Sequence, residues 1–224
     1  NPTLYAKMPY DSQKDLAPIV LLANAPLVMV TGVGTPLKTL ADAVNAAKAR
    51  PGALNFASPG NGTVAHLTSV MFQKAAGIQT QHIPYKGAAQ ALTDVIGGSV
   101  ELYMSSVPTL IGQIRNNKLR PLAVTSAKRV DDLPGVPTIN ESGYTGFDAV
   151  TWFGLLAPAG TPRDVIARIN AEFNKALQNP ELRQKLGNEG ADPAGGTPEQ
   201  FAALIRDDIP RWGKVVKESG ARVD

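Results

Sequence analysis

Cysteine is absent from the 224 residues, which removes disulfides, thiolate nucleophiles and the usual zinc sites together. The absence also suits an exported chain, because a stray thiol in an oxidising compartment is a liability. Histidine is nearly as scarce. The two present, His66 and His82, are separated by a helical stretch and lack carboxylate neighbours, so no metal site is expected. No apolar run reaches membrane-spanning length; the longest, Ile19 to Val33, is broken by Asn24, Pro26, Thr31 and Gly32. No secretory leader precedes Asn1-Pro2-Thr3, so the chain reads as a mature or shortened product. Excess charge of one sign is also lacking. A net +3 is too thin for a nucleic-acid footprint, which clusters basic residues on one face. The densest imbalance is Arg115, Lys118, Arg120, Lys128 and Arg129, a run with no acid inside it. It reads either as a solvated surface or as a weak field drawing anions to a nearby cleft.

What is present is a packed α/β protein. Apolar residues at 43% and charged residues at 18% exclude disorder and allow one or two domains. Strand-like and helix-like patterns alternate. Leu16 to Val30 reads as extended segments interrupted at Asn24 to Pro26. Thr39 with Asp42 forms a capping box for a helix carrying Leu40, Ala43, Val44 and Ala47 on one face. A strand at Leu54 to Ala57, a helix with Val64, Leu67 and Met71, and strand Thr80 to Pro84 follow. Helix Ala88 to Ile96, strand Glu101 to Met104, helix Val107 to Asn116 and strand Leu119 to Thr125 complete the series. Units of this size predict a mainly parallel sheet covered by helices. Beyond a Pro- and Gly-rich loop (131–146) and an extended stretch, Phe147 to Leu156, the chain is helical. Two further capping boxes are expected there, Thr161 with Asp164 and Thr197 with Gln200. The pattern divides into two lobes, 1–29 with 151–224 and 30–150, with a cleft between them and the second lobe carrying the ligand site.

The run Ser58-Pro59-Gly60-Asn61-Gly62-Thr63 joins a strand to a helix. Its glycines and asparagine tolerate left-handed backbone, so successive amides can turn inward as an anion nest. The first amides of the helix lack partners and the helix dipole is positive there. Ser58, Thr63 and Asn61 add neutral donors, a set suited to a carboxylate. The alternative is a tight turn in which Thr63 merely caps the helix. No lysine follows the last glycine and the spacing misses the dinucleotide fingerprint, so no cofactor is expected. His66 is either a neutral donor to a ligand or a ring packed on Thr63, and His82, in an alternating strand, is expected to face outward. Tyr85 walls a ligand or is a rim aromatic, and Ser105 and Ser106 contact ligand or cap the next helix. Ser58 lacks the glycine spacing of a nucleophile elbow, and no acids are paired, so enzymatic chemistry is not expected.

These residues carry a resemblance. The run Leu54-Asn55-Phe56-Ala57-Ser58-Pro59-Gly60-Asn61-Gly62-Thr63 with His66-Leu67, then Pro84-Tyr85-Lys86-Gly87, Leu119-Arg120-Pro121-Leu122-Ala123-Val124-Thr125, Leu133-Pro134-Gly135-Val136-Pro137-Thr138 and Trp152-Phe153-Gly154-Leu155-Leu156-Ala157-Pro158-Ala159-Gly160-Thr161-Pro162 keep their order along the chain. In this it resembles the extracytoplasmic receptors of tripartite tricarboxylate transporters, the Bug or TctC-like family. The resemblance implies a two-lobed periplasmic-binding-protein fold of type II. It also implies a periplasmic receptor that takes a mono-, di- or tricarboxylate and presents it to membrane permease subunits. Mapped by motif, Ser58, Gly62, Thr63 and the Val64 amide hold the carboxylate, with Gly60, Asn61 and His66 beside them and Tyr85 and Ser105 nearby. Two departures stand out. The family's usual opening βα segment with its own glycine-rich loop is not found, so the first lobe is expected to be incomplete. Ser105 stands where many relatives carry aspartate, which argues against recognition of an amino group. The competing readings are a carboxylate-sensing regulator or enzyme on the same fold, and an interaction module without a small ligand.

Overall fold

The computed structural model describes residues 2–222. It divides into two compact units, Asn1–Ala25 with Trp152–Asp224, and Pro26–Thr151. The chain crosses the first boundary inside β1 (Leu16–Gly32) and the second inside β6 (Val150–Pro158).

The Pro26–Thr151 unit places α1 (Leu40–Ala49), β2 (Asn55–Ser58), α2 (Val64–Ala76), β3 (Gln81–Pro84), α3 (Ala88–Ile96), β4 (Leu102–Ser106), α4 (Val107–Arg115) and β5 (Leu119–Val124) after β1. The strand order is β3-β2-β4-β1-β5. β2 runs parallel to β3 and β4, whereas β1 is antiparallel to both β4 and β5. The sheet is therefore mixed: four strands share one direction and β1 opposes them. Helices α3 and α4 pack Ala91, Val95, Val107, Leu110 and Ile111 against Val28, Val30, Ala57, Tyr103 and Val124. Neighbouring residues in a strand face opposite ways, which sends Phe56, Leu102 and Met104 to the other side. There α2 contacts β2 and β4. Gly32 is a close approach, since a Cβ there would lie 2.4 Å from the Val95 carbonyl oxygen.

In the other unit, β6 and β7 (Asp192–Pro193) pair with β1, accompanied by α5 (Arg163–Leu177), α6 (Pro180–Asn188) and α7 (Pro198–Ser219). Phe201 of α7 fills the space above Gly154 and meets the Trp152 ring edge-to-face at 5.4 Å. The Trp152 indole N–H donates to Asp208 at 2.7 Å.

Three local expectations change. The interruption expected at Asn24 to Pro26 does not occur, and β1 is continuous. Ala23 and Asn24 pair with β7, and from Leu27 the partners become β4 and β5. Pro26 falls at the changeover, where its missing N–H costs little. Thr161 caps nothing. Pro162, with ψ 142°, is itself the N-cap of α5 and has no side-chain bond. The basic run is also not unpaired, because Arg115 meets Asp132 at 2.6 Å and Arg129 meets Glu141 at 2.8 Å, while Arg120 donates to the Leu37 carbonyl at 2.9 Å. The capping boxes at Thr39 and Thr197 are present as expected.

Candidate functional site

Parallel β2 and β3 and their neighbour β4 bring three loops to one sheet edge: Ser58 to Thr63, Tyr85 to Gly87, and Ser105 with Ser106. The first leads into α2. Gly62 has φ 71°, the left-handed region that glycine enters without cost. Thr63 caps α2, its hydroxyl accepting from the His66 amide at 3.3 Å and donating to the Gly60 carbonyl at 2.8 Å. Two backbone bonds sew the loop to the next one: the Tyr85 amide to the Ser58 carbonyl and the Gly87 amide to the Pro59 carbonyl, each 3.0 Å.

The loop is braced from within to a degree the glycine pattern did not show. The Gly62 amide donates to His66 Nδ1 at 3.1 Å, and the Gly60 amide to Ser58 Oγ at 3.3 Å. Both glycine amides of the expected nest are thus taken by the protein's own side chains. The Ser58 hydroxyl, fully buried, donates to the Gly60 carbonyl at 3.0 Å and lies 2.7 Å from His82 Nε2. The direction of the Ser58–His82 bond is set by the His82 tautomer: Nε2–H donates to Oγ, and bare Nε2 accepts from it. Of the helix amides, Val64 and Ala65 have no partner among the described residues, the two orphans a capped N-terminus leaves. Around them the dipole is positive, with no cationic side chain in the loop.

His66 and His82 stack face to face, centroids 3.8 Å apart and planes 2° from parallel. His82 does not face outward as expected, because α2 covers its side of β3 with the His66 ring. Burial, with a smaller push from His82, holds the His66 imidazolium far below its usual range, down to about 4. Burial also lowers His82. His66 is therefore neutral, and because Nδ1 accepts from Gly62 its proton is on Nε2. That N–H has no acceptor among the described residues. Sequence reasoning passed over His82; its one signal was scarcity, since both histidines of the chain lie here.

Asn61 is engaged within the protein. The Tyr85 hydroxyl donates to Asp94 at 2.6 Å, which raises its pKa to about 12, burial adding to the effect. That commits its polar end to α3 while its ring borders the core beneath the rim. Ser105 is buried and pairs with Val28. Two residues earlier on the same face, the fully buried Tyr103 hydroxyl has no hydrogen-bond partner among the described residues, and burial raises its pKa. Ser106 starts α4 without a side-chain cap and shares its hydroxyl with Thr109 at 2.8 Å. A separate groove of about 610 Å3 in this unit, lined by Lys38, Val44, Lys48, Leu122 and Tyr144 among others, includes none of these residues.

The mixed sheet with one reversed strand superposes on a solved periplasmic binding protein, BugD, with a TM-score of 0.86 at 30% identity, covering 99% of this chain and 75% of that one. Residues 1–221 match the tripartite tricarboxylate transporter family receptor, and the chain belongs to that family. Protein BugT of Bordetella pertussis is 38% identical over 221 residues, which cover 99% of this chain and 68% of BugT. A protein encoded in the tcbD-tcbE intergenic region of Pseudomonas sp. strain P51 is 40% identical over 215 residues, 96% of this chain and 64% of that protein. The chain thus spans about two thirds of the length of these relatives. Among solved structures, R. palustris Rpa4515 with adipate superposes with a TM-score of 0.90 at 32% identity, covering 99% of this chain and 74% of that one. MatC from Rhodopseudomonas palustris with bound malate gives 0.83 at 28% identity, covering 96% and 74%.

Proposed function

We propose that this chain is a receptor that captures a small organic carboxylate outside the cytoplasm and delivers it to membrane permease subunits, performing no chemistry itself. In this reading residues 30–150 form the ligand-binding domain. The Val64 and Ala65 amides with the His66 Nε2–H receive one carboxylate. Thr63, Asn61, Ser58, Gly60 and Gly62 shape that seat, and Tyr85 and Ser105 form its rim. The observation that carries the reading is the pair of amides at the mouth of α2, Val64 and Ala65, that meet no partner among the described residues. Neutral donors and a helix dipole bind an anion without burying a counter-charge, and so avoid the desolvation cost of a buried ion pair. The family membership, and the adipate and malate in the two superposed structures, support a carboxylate over other anions.

A thermal-shift series on the 224-residue chain with propionate, adipate, malate and citrate at pH 7 tests this. A ligand at a hundred times its Kd stabilises by about 2.7 kcal/mol, a shift of a few degrees for a protein of this size. Thr63→Val combined with Gly62→Pro removes the shift. Absence of any shift with mono-, di- and tricarboxylates refutes the proposal, and persistence in the double variant moves the site elsewhere.

A further inference from the structure

We infer that His82 is a positioning residue: together with His66 it forms a clamp that holds the loop Ser58 to Thr63 in its ligand-receiving shape while the His66 ring is neutral. The inference deepens the carboxylate-receptor reading and rests on it for its functional meaning, but the clamp itself can be observed without any ligand.

Four contacts make the clamp. His82 Nε2 lies 2.7 Å from Ser58 Oγ, the Ser58 hydroxyl turns to the Gly60 carbonyl, the Gly62 amide points at His66 Nδ1, and the two rings lie 3.8 Å apart. A stacked neighbour 2° from parallel leaves the His66 ring little freedom to rotate, so the direction of its Nδ1 lone pair is set by His82. The Gly62 amide then selects the tautomer, and Nε2–H is left for a ligand. His82 thereby acts on both ends of the loop, on Ser58 directly and on Gly62 through His66.

The same contacts explain why charge opens it. A proton on His66 Nδ1 replaces the lone pair that Gly62 uses, and two N–H groups cannot face each other at 3.1 Å. A proton on His82 keeps the Ser58 bond but sets a charge 3.8 Å from the other ring, which opposes protonation of the partner. The surroundings offer neither ring a counter-ion. β2 (Asn55–Ser58) and β4 (Leu102–Ser106) carry no charged residue, β3 carries only His82, and the only charge on α2 is Lys74, two turns from His66. Tyr85 and Lys86 follow β3, with the Tyr85 hydroxyl committed to Asp94, and Glu101 binds the Asn55 amide at the opposite end of β2. The pair therefore answers to its own protonation, with no acid to buffer it.

The test is heteronuclear NMR on the ligand-free 224-residue chain between pH 7.5 and 3.5, with His82→Phe and His82→Gln as variants. Phenylalanine keeps a flat ring against His66 and loses the Ser58 bond, whereas glutamine keeps a donor and loses the stack. The clamp requires His66 in the Nε2–H tautomer at pH 7.5, and a Gly62 amide resonance that follows the His66 titration. It also requires exchange to rise roughly threefold to tenfold at the Gly60 amide in His82→Phe and at the Gly62 amide in His82→Gln, the factor set by one ordinary hydrogen bond. Thermal midpoints of the variants identify any that has simply unfolded. A His66 Nδ1–H tautomer, a Gly62 resonance indifferent to His66, or unchanged exchange in a folded variant overturns the inference. A second arm measures the adipate-induced thermal shift at pH 7 in the parent and in the two folded variants. A shift that shrinks in both variants supports the clamp, and an undiminished shift in both refutes it. No shift in the wild-type chain sinks the receptor reading alone, leaving the NMR arm to decide the clamp.

Discussion

Replacing Thr63 by valine removes one oxygen and changes almost nothing else in size. In the structure that oxygen makes two bonds, accepting the His66 amide at 3.3 Å and donating to the Gly60 carbonyl at 2.8 Å. Loss of an N-cap hydroxyl costs about 1 kcal/mol. Loss of the second, partly buried bond costs about another 0.5–1.5 kcal/mol, so Thr63→Val lowers the stability of the Pro26–Thr151 unit by roughly 2 kcal/mol. Thr63→Ser keeps the oxygen and stays within about 0.5 kcal/mol of the parent. The probe must report on the correct unit. Trp152 and Trp212 are the two tryptophans of the chain and both belong to the other unit, so their fluorescence misses the event. Urea unfolding followed by far-UV circular dichroism, with amide exchange at His66 and Leu67, reads it. Equal stability of Thr63→Val and the parent, or equal damage from serine and valine, refutes the picture of one hydroxyl joining loop to helix.

Gly154→Ala puts a Cβ 2.1 Å from the tip of the buried Phe201 ring; overpacking of this kind costs about 1–3 kcal/mol, and here tryptophan fluorescence is the right monitor because Trp152 packs on that ring. His66 binds its proton less readily when folded, about 4 against an ordinary 6.5. The unfolded chain therefore holds more protons between these values, and unfolding free energy falls as pH drops from 6.5 toward 4; urea midpoints across that range in parent and His66→Gln check it, the variant losing less. Asp94→Asn removes the main cause of the raised Tyr85 pKa, so the phenol titrates below its present value of about 12 and closer to 10, read by ultraviolet absorbance. Ser105→Asp offers the orphaned Tyr103 hydroxyl an acceptor and sets a negative charge at the rim, so thermal shifts by simple dicarboxylates shrink relative to the parent.

Much of this was readable from residue order alone, where the cause of a structure is local. The Thr39 and Thr197 capping boxes need residues three apart, and the loop before α2 announces itself because Gly60, Asn61 and Gly62 relax the backbone within a few positions. What escaped was governed from a distance. Pro26 reads as a break, yet β1 runs through it because its ladder partners change there, and those partners lie far along the chain. Thr161 satisfies the capping-box pattern, but Pro162 adopts an extended ψ and takes the cap position itself. The glycine amides read as free donors, and only the fold shows that Ser58 and His66 already engage two of them. His82 follows a strand alternation that points it to solvent, and no local pattern says that a helix sixteen residues earlier will cover it with another imidazole.

The reversed strand at the heart of the Pro26–Thr151 sheet has a consequence for how the chain is assembled in time. Leu27 to Val30 must find Tyr103 to Ser106 on one flank, and Val28 to Gly32 must find Leu119 to Val124 on the other. Of the five strands of this sheet, β1 precedes the others along the chain and is the last to gain both neighbours. Until the chain has reached Val124, the fully buried Val28, Met29 and Val30 remain an open, sticky ribbon. Folding of such long-range pairings is slow and prone to association with other chains, so a growing polypeptide of this design benefits from being kept extended until its partner strands arrive.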